Sequence, residues 1–383
     1  MTRRILCISL SEIERDARVL RQIGLLAEFG EVTTVGFGGR PAGATHHIQV
    51  PSGLKTLPQT PLGVLKLALR LHRSAECSSP ASAWVLREGI GQIVGPWDLV
   101  VANEARALDL ADRLAGGAPI WADLHEWAPG ERTQIASWRI LVAPFMAYLC
   151  GRYLPGVAMS TTVSRGIIEL YEHHYGVRPL FMPNAGAYRE ITPGPSSSEA
   201  VRCVHSGAAQ HGRALDTLIR VFLGLPDRFS LDLYLVPGGD GGAHLRELQA
   251  LAAGCARIRF NDPVSAHELP AVLSQYDLGV HWIPSDINVN NRFALPNKFF
   301  DYVQARIGIA IGPSEEMARE LREYGLGVVA RSFEEPDLAA SLLPIDAAQL
   351  NEFKDHAGVA ARELNFEAQA GPVRSALREL LGT

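Results

Sequence analysis

Short apolar runs alternate with helix-patterned segments along almost the whole of this 383-residue chain, and that alternation restricts it to parallel sheets built from βαβ units. The stretch "ILCISL" (5–10) has the composition of a buried strand, and the segment after it carries Val19, Leu20, Ile23, Leu26 and Ala27 at helical spacing. "VTTVGF" (32–37), "DLVVA" (98–102), "PIWAD" (119–123), "VAMSTTV" (157–163) and "LFMP" (180–183) continue the pattern, with helices expected around 105–114, from about 135 and over 166–174. The stretch "GAYREITPGPSSSEA" (186–200), rich in Gly, Pro and Ser and without apolar periodicity, reads as a linker. Beyond it the alternation restarts with "VRCVHS", "LDLYLV", "RIRF", "DLGVHW", "IGIAI" and "GLGVVA", each separated from the next by a helical pattern. The expected fold is therefore α/β, with two Rossmann-like, doubly wound domains facing across a cleft: 1–185, a linker at 186–200, and 201–383, the last helix packing back on the first domain. Ligands of such folds sit at the carboxyl ends of the strands.

Composition narrows the function. A chain that is 47% hydrophobic and 20% charged can bury two cores, and a net charge of -5 argues against nucleic acid as a partner, since neutralising phosphates takes a concentrated basic surface. Cys7, Cys77, Cys150, Cys203 and Cys255 are widely spaced and form no C-x-x-C pair, which indicates neither a disulfide framework nor a zinc site and suits a reducing cytoplasm. The run from Ile140 to Cys150 is too short to span a bilayer, and the apolar start "ILCISL" is too short for a signal peptide. Two stretches still raise peripheral membrane contact: the basic amphipathic "LGVLKLALRLHRSA" (62–75), and "SWRILVAPFMAYLCGRYL" (137–154), for which a core helix is the competing reading.

The most suggestive constellation is "ALPNKFFDYVQARIGIAI" (294–311). Pro296 suits the first turn of a helix, and Asn297, Lys298 and Asp301 lie within that turn, the last two on one face. A helix start offers free N–H groups and partial positive charge to a phosphate, Lys298 adds a full charge, and Asp301 can accept from sugar hydroxyls. An ordinary surface ion pair is the alternative. Arg15, Asp16 and Arg18, after the first strand, are candidates for acceptor contacts or a solvated helix start. Asn103 and Glu104 hold the same position after "DLVVA".

The segment "RFALPNKFFDYVQARIGIAIGPSEEMARELREYGLGVV" (292–329) resembles the C-terminal signature of the retaining glycosyltransferases of family 4, in its "PNK-F-[ED]-Y" form. "ERDARVLRQIGLLAEFGEVTTVGFG" (14–38), "IWADLHEW" (120–127), "TTVSRGIIELYEHHYG" (161–176), "LFMPNAG" (180–186) and "VRCVHSGAAQHGRALDTLIRVF" (201–222) resemble further stretches of the family in the right order. The resemblance implies the two-domain architecture called GT-B and a nucleotide diphosphate sugar, of unknown base, as donor substrate with no cofactor. It implies that Lys298 and Arg213 bind the diphosphate, that Asp301 stands where a glutamate contacts ribose, and that His125 lies near the donor sugar as the catalytic-side histidine, with Glu126 beside it toward the acceptor. Gly207 and Gly239, each just after a strand, would admit close backbone approach to the donor, with turn formation as the other explanation. Phe293 occupies the position of the family's first glutamate, so the backbone of Leu295, Pro296 and Asn297 would take over its contacts. The chain holds no D-x-D, which points to metal-independent transfer with no metal ligands. Glycan, lipid-linked or small-molecule acceptors are all compatible. The rivals are a nucleotide-sugar epimerase of the same fold and a non-catalytic sugar-nucleotide-binding subunit.

Overall fold

The computed structural model describes residues 2–93 and 95–382. They form two compact α/β units, one made of residues 2–182, 288–290 and 370–382, the other of 183–287 and 291–369.

The first unit carries a seven-stranded, all-parallel sheet. Its strands are β1 (Arg3–Glu12), β2 (Gly30–Phe37), β3 (His46–Gln49), β4 (Leu99–Asn103), β5 (Ile120–Leu124), β6 (Met159–Thr162) and β7 (Leu180–Phe181), in the spatial order β3-β2-β1-β4-β5-β6-β7. Every residue of β4 is buried, as are those of β5 after Ile120, which is why these strands read as continuous apolar runs. Strand order reverses between β1 and β4, so their carboxyl ends flank the crevice where such sheets take ligands. The C-terminal helix Gly371–Leu381 belongs to this unit, with Arg374 paired to Glu28 at 2.9 Å and Arg3 donating to the Leu381 carbonyl at 2.6 Å.

The second unit repeats the plan with six parallel strands: β8 (Val201–Ala209), β9 (Phe229–Pro237), β10 (Ile258–Asn261), β11 (Leu278–His281), β12 (Gly308–Ile311) and β13 (Gly327–Val329), ordered β10-β9-β8-β11-β12-β13. Its reversal lies between β8 and β11, paired through Leu278 with Cys203 and Gly279 with Val204. The Gly/Pro/Ser-rich stretch 186–200 has no regular structure, but it is tied to this unit along its length. Arg306 donates to the Arg189 carbonyl (2.5 Å), Lys354 to that of Gly194 (3.0 Å), and Ser196 to the buried Asp277 (3.1 Å). Among the described residues, no helix is long and apolar enough to cross a membrane.

Candidate functional site

The switch point of the second sheet holds a buried cation. The helix Asn297–Gln304 follows β11 and buries Phe299, Phe300, Tyr302 and Val303 against its unit, which fixes the rotation of its first turn. Pro296 is the N-cap and offers no side-chain acceptor to the free N–H groups. That rotation turns Lys298 inward until only 8% of it is exposed, with Nζ 3.2 Å from Nε2 of His205 on β8. His205 Nδ1 lies 2.8 Å from the Val280 carbonyl and must carry the hydrogen, so Nε2 is an acceptor and the lysine donates to it. His281, at the end of β11, lies parallel to His205 with ring centroids 6.2 Å apart, and its buried Nδ1 has no hydrogen-bond partner among the described residues.

Asp301 offsets only part of the cost of burying this group. Burial first, then the charge of Arg213, pushes Lys298 down to about 7, against the opposing pull of Asp301. Burial and the Lys298 charge hold His205 and His281 well below the ordinary imidazole range, so both are neutral near pH 7. Gly207 completes the cradle: its φ is +151°, and an added Cβ would lie 2.9 Å from Lys298 Nζ, so the backbone passes the ammonium only because this residue is glycine. The arrangement suits a polyanion, which would take up the free donors of the helix start and the guanidinium of Arg213.

In the first unit the reversal is occupied by a balanced charge cluster. Asp123, on β5, accepts from Arg18 through Nε (2.8 Å) and Nη2 (2.5 Å), from Gln22 (3.1 Å) and from Thr161 (2.6 Å). Burial alone would raise its carboxyl, but Arg18 and then His125 hold it well below the usual carboxylate range. Asn103 donates through Nδ2 to Gln22 (2.9 Å) and to the Ile8 carbonyl (3.3 Å), leaving its Oδ1 to accept from His125 Nε2 at 3.1 Å. The other face of the imidazole, Nδ1, lies 3.8 Å from Glu104. Burial lowers the affinity of His125 for a second proton, but hydrogen bonding to Asp123 outweighs it and the imidazole is raised.

Glu104 itself sits at φ +66°, a conformation costly for a non-glycine residue, directly after β4. Glu104, Arg106, His125, Glu126, Glu131 and Met146 line a partly open pocket of about 40 Å³, room for a water or a single hydroxyl group. Arg106 pairs with Glu131 (3.0 Å) and with Glu104. Limited solvation, then the charges of Glu131 and Glu104, push Glu126 up to about 7, and its carboxylate accepts from Asn290 at 3.1 Å.

No protein-family model matches the chain, and no curated protein matches it in sequence. Solved structures do match over its full length. A sucrose-phosphate synthase from Thermosynechococcus elongatus superposes with a TM-score of 0.71 at 14% identity, covering 99% of both chains. A UDP-forming α,α-trehalose-phosphate synthase from Burkholderia vietnamiensis gives 0.69 at 13%, covering 100% of both. HepE from Anabaena, in complex with UDP and glucose, gives 0.67 at 15%, covering 98% of this chain and 99% of that one. The chain has the GT-B fold.

Within this GT-B chain the sequence-derived candidates divide. Gly207, Arg213, Lys298 and Asp301 belong to one cradle, behind the start of the helix that Leu295, Pro296 and Asn297 lead into; Leu295 is buried and Asn297 exposed. The alternative of an ordinary Lys298–Asp301 surface pair does not hold, since Lys298 is buried and its hydrogen bond goes to His205. Gly239 stands apart, in the exposed turn after β9, where an added Cβ meets nothing within 4 Å. Phe293 is buried with the Arg292 guanidinium over its ring. In the first unit, His125 and Glu126 share the pocket. Asp16 is the N-cap of the helix Ala17–Ala27, accepting from the Val19 amide and from Ser11, and Arg18 is committed to Asp123, whereas Arg15 is exposed. His205, His281, Asn290 and Glu131 escaped the sequence reading. The two histidines had a weak signal, since each is a polar residue toward the carboxyl end of a largely apolar run.

Proposed function

We propose that the chain is a glycosyltransferase that moves a sugar from a nucleoside diphosphate sugar to an acceptor hydroxyl, with retention of anomeric configuration. The buried Lys298 at the switch point of the second unit, its charge only partly offset by Asp301, carries this reading, because a cation withdrawn from water beside neutral histidines and an arginine favours an anionic ligand. In this scheme Lys298, Arg213 and the amides at the start of Asn297–Gln304 hold the diphosphate, Asp301 accepts from ribose, and the Gly207 backbone admits the phosphate. The bond from the anomeric carbon to the phosphate oxygen breaks, the bond to the acceptor oxygen forms on the same face, and the leaving phosphate takes the acceptor's proton. The two cations and the helix start stabilise the departing charge, which is the work a metal does in other transferases. His125 orients the sugar through Nδ1 while Asn103 and Asp123 hold Nε2; Glu126 and Arg15 serve the acceptor. The fold shared with the UDP-bound HepE structure supports a nucleotide donor.

An acceptor embedded in or linked to lipid fits the first unit. Leu62, Leu65, Leu69, Leu71 and Ile140 are each more than half exposed on adjoining segments joined by Arg70, which donates to the Ile140 carbonyl at 2.8 Å, and Lys66, Arg73 and Arg139 lie among them in sequence. This suits an anionic bilayer surface and glycolipid or polysaccharide assembly. Downstream, Phe145, Met146, Leu149 and Cys150 are buried, so the helix Ala143–Tyr153 is part of the core. The perturbed Glu126 favours one rival, an epimerase, which needs an acid or base of this kind.

The deciding experiment is a thermal-shift screen against UDP, GDP, dTDP and their sugars, followed by donor turnover with and without acceptor. Selective stabilisation by one nucleotide and transfer giving the retained anomer by NMR are expected. Sugar isomers released without an acceptor would replace the transferase by the epimerase, and no stabilisation by any nucleotide would overturn both.

A further inference from the structure

The second unit carries a cluster that the diphosphate cradle does not use. His244 and Glu247 lie three residues apart on one face of the helix Ala243–Leu251, and His211 reaches them from the turn after β8. The rings of His211 and His244 are 3.9 Å apart between centroids, and His244 Nδ1 lies 3.2 Å from Glu247 Oε2. One ligating atom from each of the three residues falls within 4.8 Å of the others, beside a cavity of about 410 Å³ that all three line. His244 is buried and its backbone is fixed by Asp240, which accepts from the His244 amide at 2.9 Å, whereas His211 and Glu247 are exposed and free to adjust.

Two imidazoles and a carboxylate are the donor set of borderline metals, and ligands about 2.0–2.2 Å from a tetrahedral zinc stand roughly 3.3 Å apart, close to the spacing of His244 and Glu247 here. Three protein ligands leave a fourth position for water. We propose that His211, His244 and Glu247 form a divalent-metal site of the zinc type that ties the turn carrying His211 to the helix Ala243–Leu251. That turn includes Gly212 at φ +81° and Ala214 at φ +49°, a conformation that costs energy at the alanine, and Arg213 lies between them. A metal held at its edge restrains the arginine without touching it. The site stands whether or not the cradle binds a nucleotide.

Tag-free, chelator-treated protein titrated with zinc alone tests this. Wild type should take up one zinc per chain and gain thermal stability, and cobalt should give the visible absorption of a four-coordinate nitrogen and oxygen site. His211→Ala and Glu247→Ala replace exposed groups, so both should keep the wild-type circular dichroism while losing at least about tenfold in zinc affinity, a factor that 1.4 kcal/mol accounts for. His244→Ala should lose binding as well; if it fails to fold, the two exposed variants decide. Unchanged affinity and stoichiometry in His211→Ala and Glu247→Ala, or no uptake by wild type, would overturn the site.

Discussion

Each unit buries charge at the place where its strand order reverses, and the two do so in opposite ways. In the first, Arg18 and Asp123 neutralise each other, with Gln22, Thr161, His125 and the Met182 carbonyl using up the remaining donors and acceptors. In the second, Lys298 faces a neutral imidazole and the field of Arg213, with Asp301 as a weaker counterweight. A satisfied buried pair holds a structure together, whereas a buried cation with only a partial counter-charge costs stability and gains it back from a ligand. The largest expected effect separates them. Arg18→Met leaves the Asp123 carboxylate buried without its partner and should cost about 3–5 kcal/mol in urea unfolding, while Lys298→Met should leave stability unchanged or higher. A similar loss in both variants would erase the distinction.

Nucleotide sharpens the contrast from the other side. At a ligand concentration about 100 times Kd, wild type should gain about 2.7 kcal/mol, and Lys298→Ala should lose that gain although its fold persists. A full thermal shift in the variant would move the diphosphate away from Lys298.

A titration comes next in size. Lys298 binds its proton more weakly in the folded than in the unfolded chain, so between about pH 7 and the ordinary lysine value the unfolded chain holds more protons and stability rises with pH; below about 7 the cost of the buried charge is fully present. Lys298→Met should flatten that rise. A bound diphosphate raises the lysine again, so binding takes up a proton, and nucleotide affinity should fall above pH 7 by up to about tenfold per unit. Lys298→Arg, charged throughout, should remove this slope. Calorimetry in two buffers of different ionisation enthalpy counts the protons, and a count of zero for wild type at pH 8 would contradict the buried-cation account.

Much of the architecture was legible because buried parallel strands must be apolar on both faces, as in β4 and β12. β3 was not: His46–Gln49 is a polar edge strand with only Ile48 buried, so it carries no apolar run. The stretch 186–200 has the composition of a free linker, and what ties it down is Gln304, Arg306 and Lys354, more than 100 residues away. The first helical turn that carries Lys298 could be seen in "LPNK", but its depth could not. That depth depends on β8 lying beside β11, which sets His205 and His281 around the ammonium, and strand order is a property of the whole sheet. Asp16 misled for a related reason: a carboxylate after a strand has the same sequence appearance whether it caps a helix or faces a ligand.

The smallest effect concerns two glycines that look alike in sequence, each following a strand of the second unit. At Gly207 an added methyl group meets Lys298 Nζ at 2.9 Å and φ is +151°; at Gly239 it meets nothing, and φ is not in the positive region. Gly207→Ala should therefore push the ammonium aside and weaken nucleotide binding by about tenfold, equivalent to roughly 1.4 kcal/mol, and the strain of an alanine at this φ should lower stability as well. Gly239→Ala, in an exposed turn, should stay within about 0.5 kcal/mol of wild type in stability and leave affinity unchanged. If Gly239→Ala instead weakened nucleotide binding as much as Gly207→Ala, the ligand would extend to the turn after β9, and the cradle around Lys298 would be only part of its site.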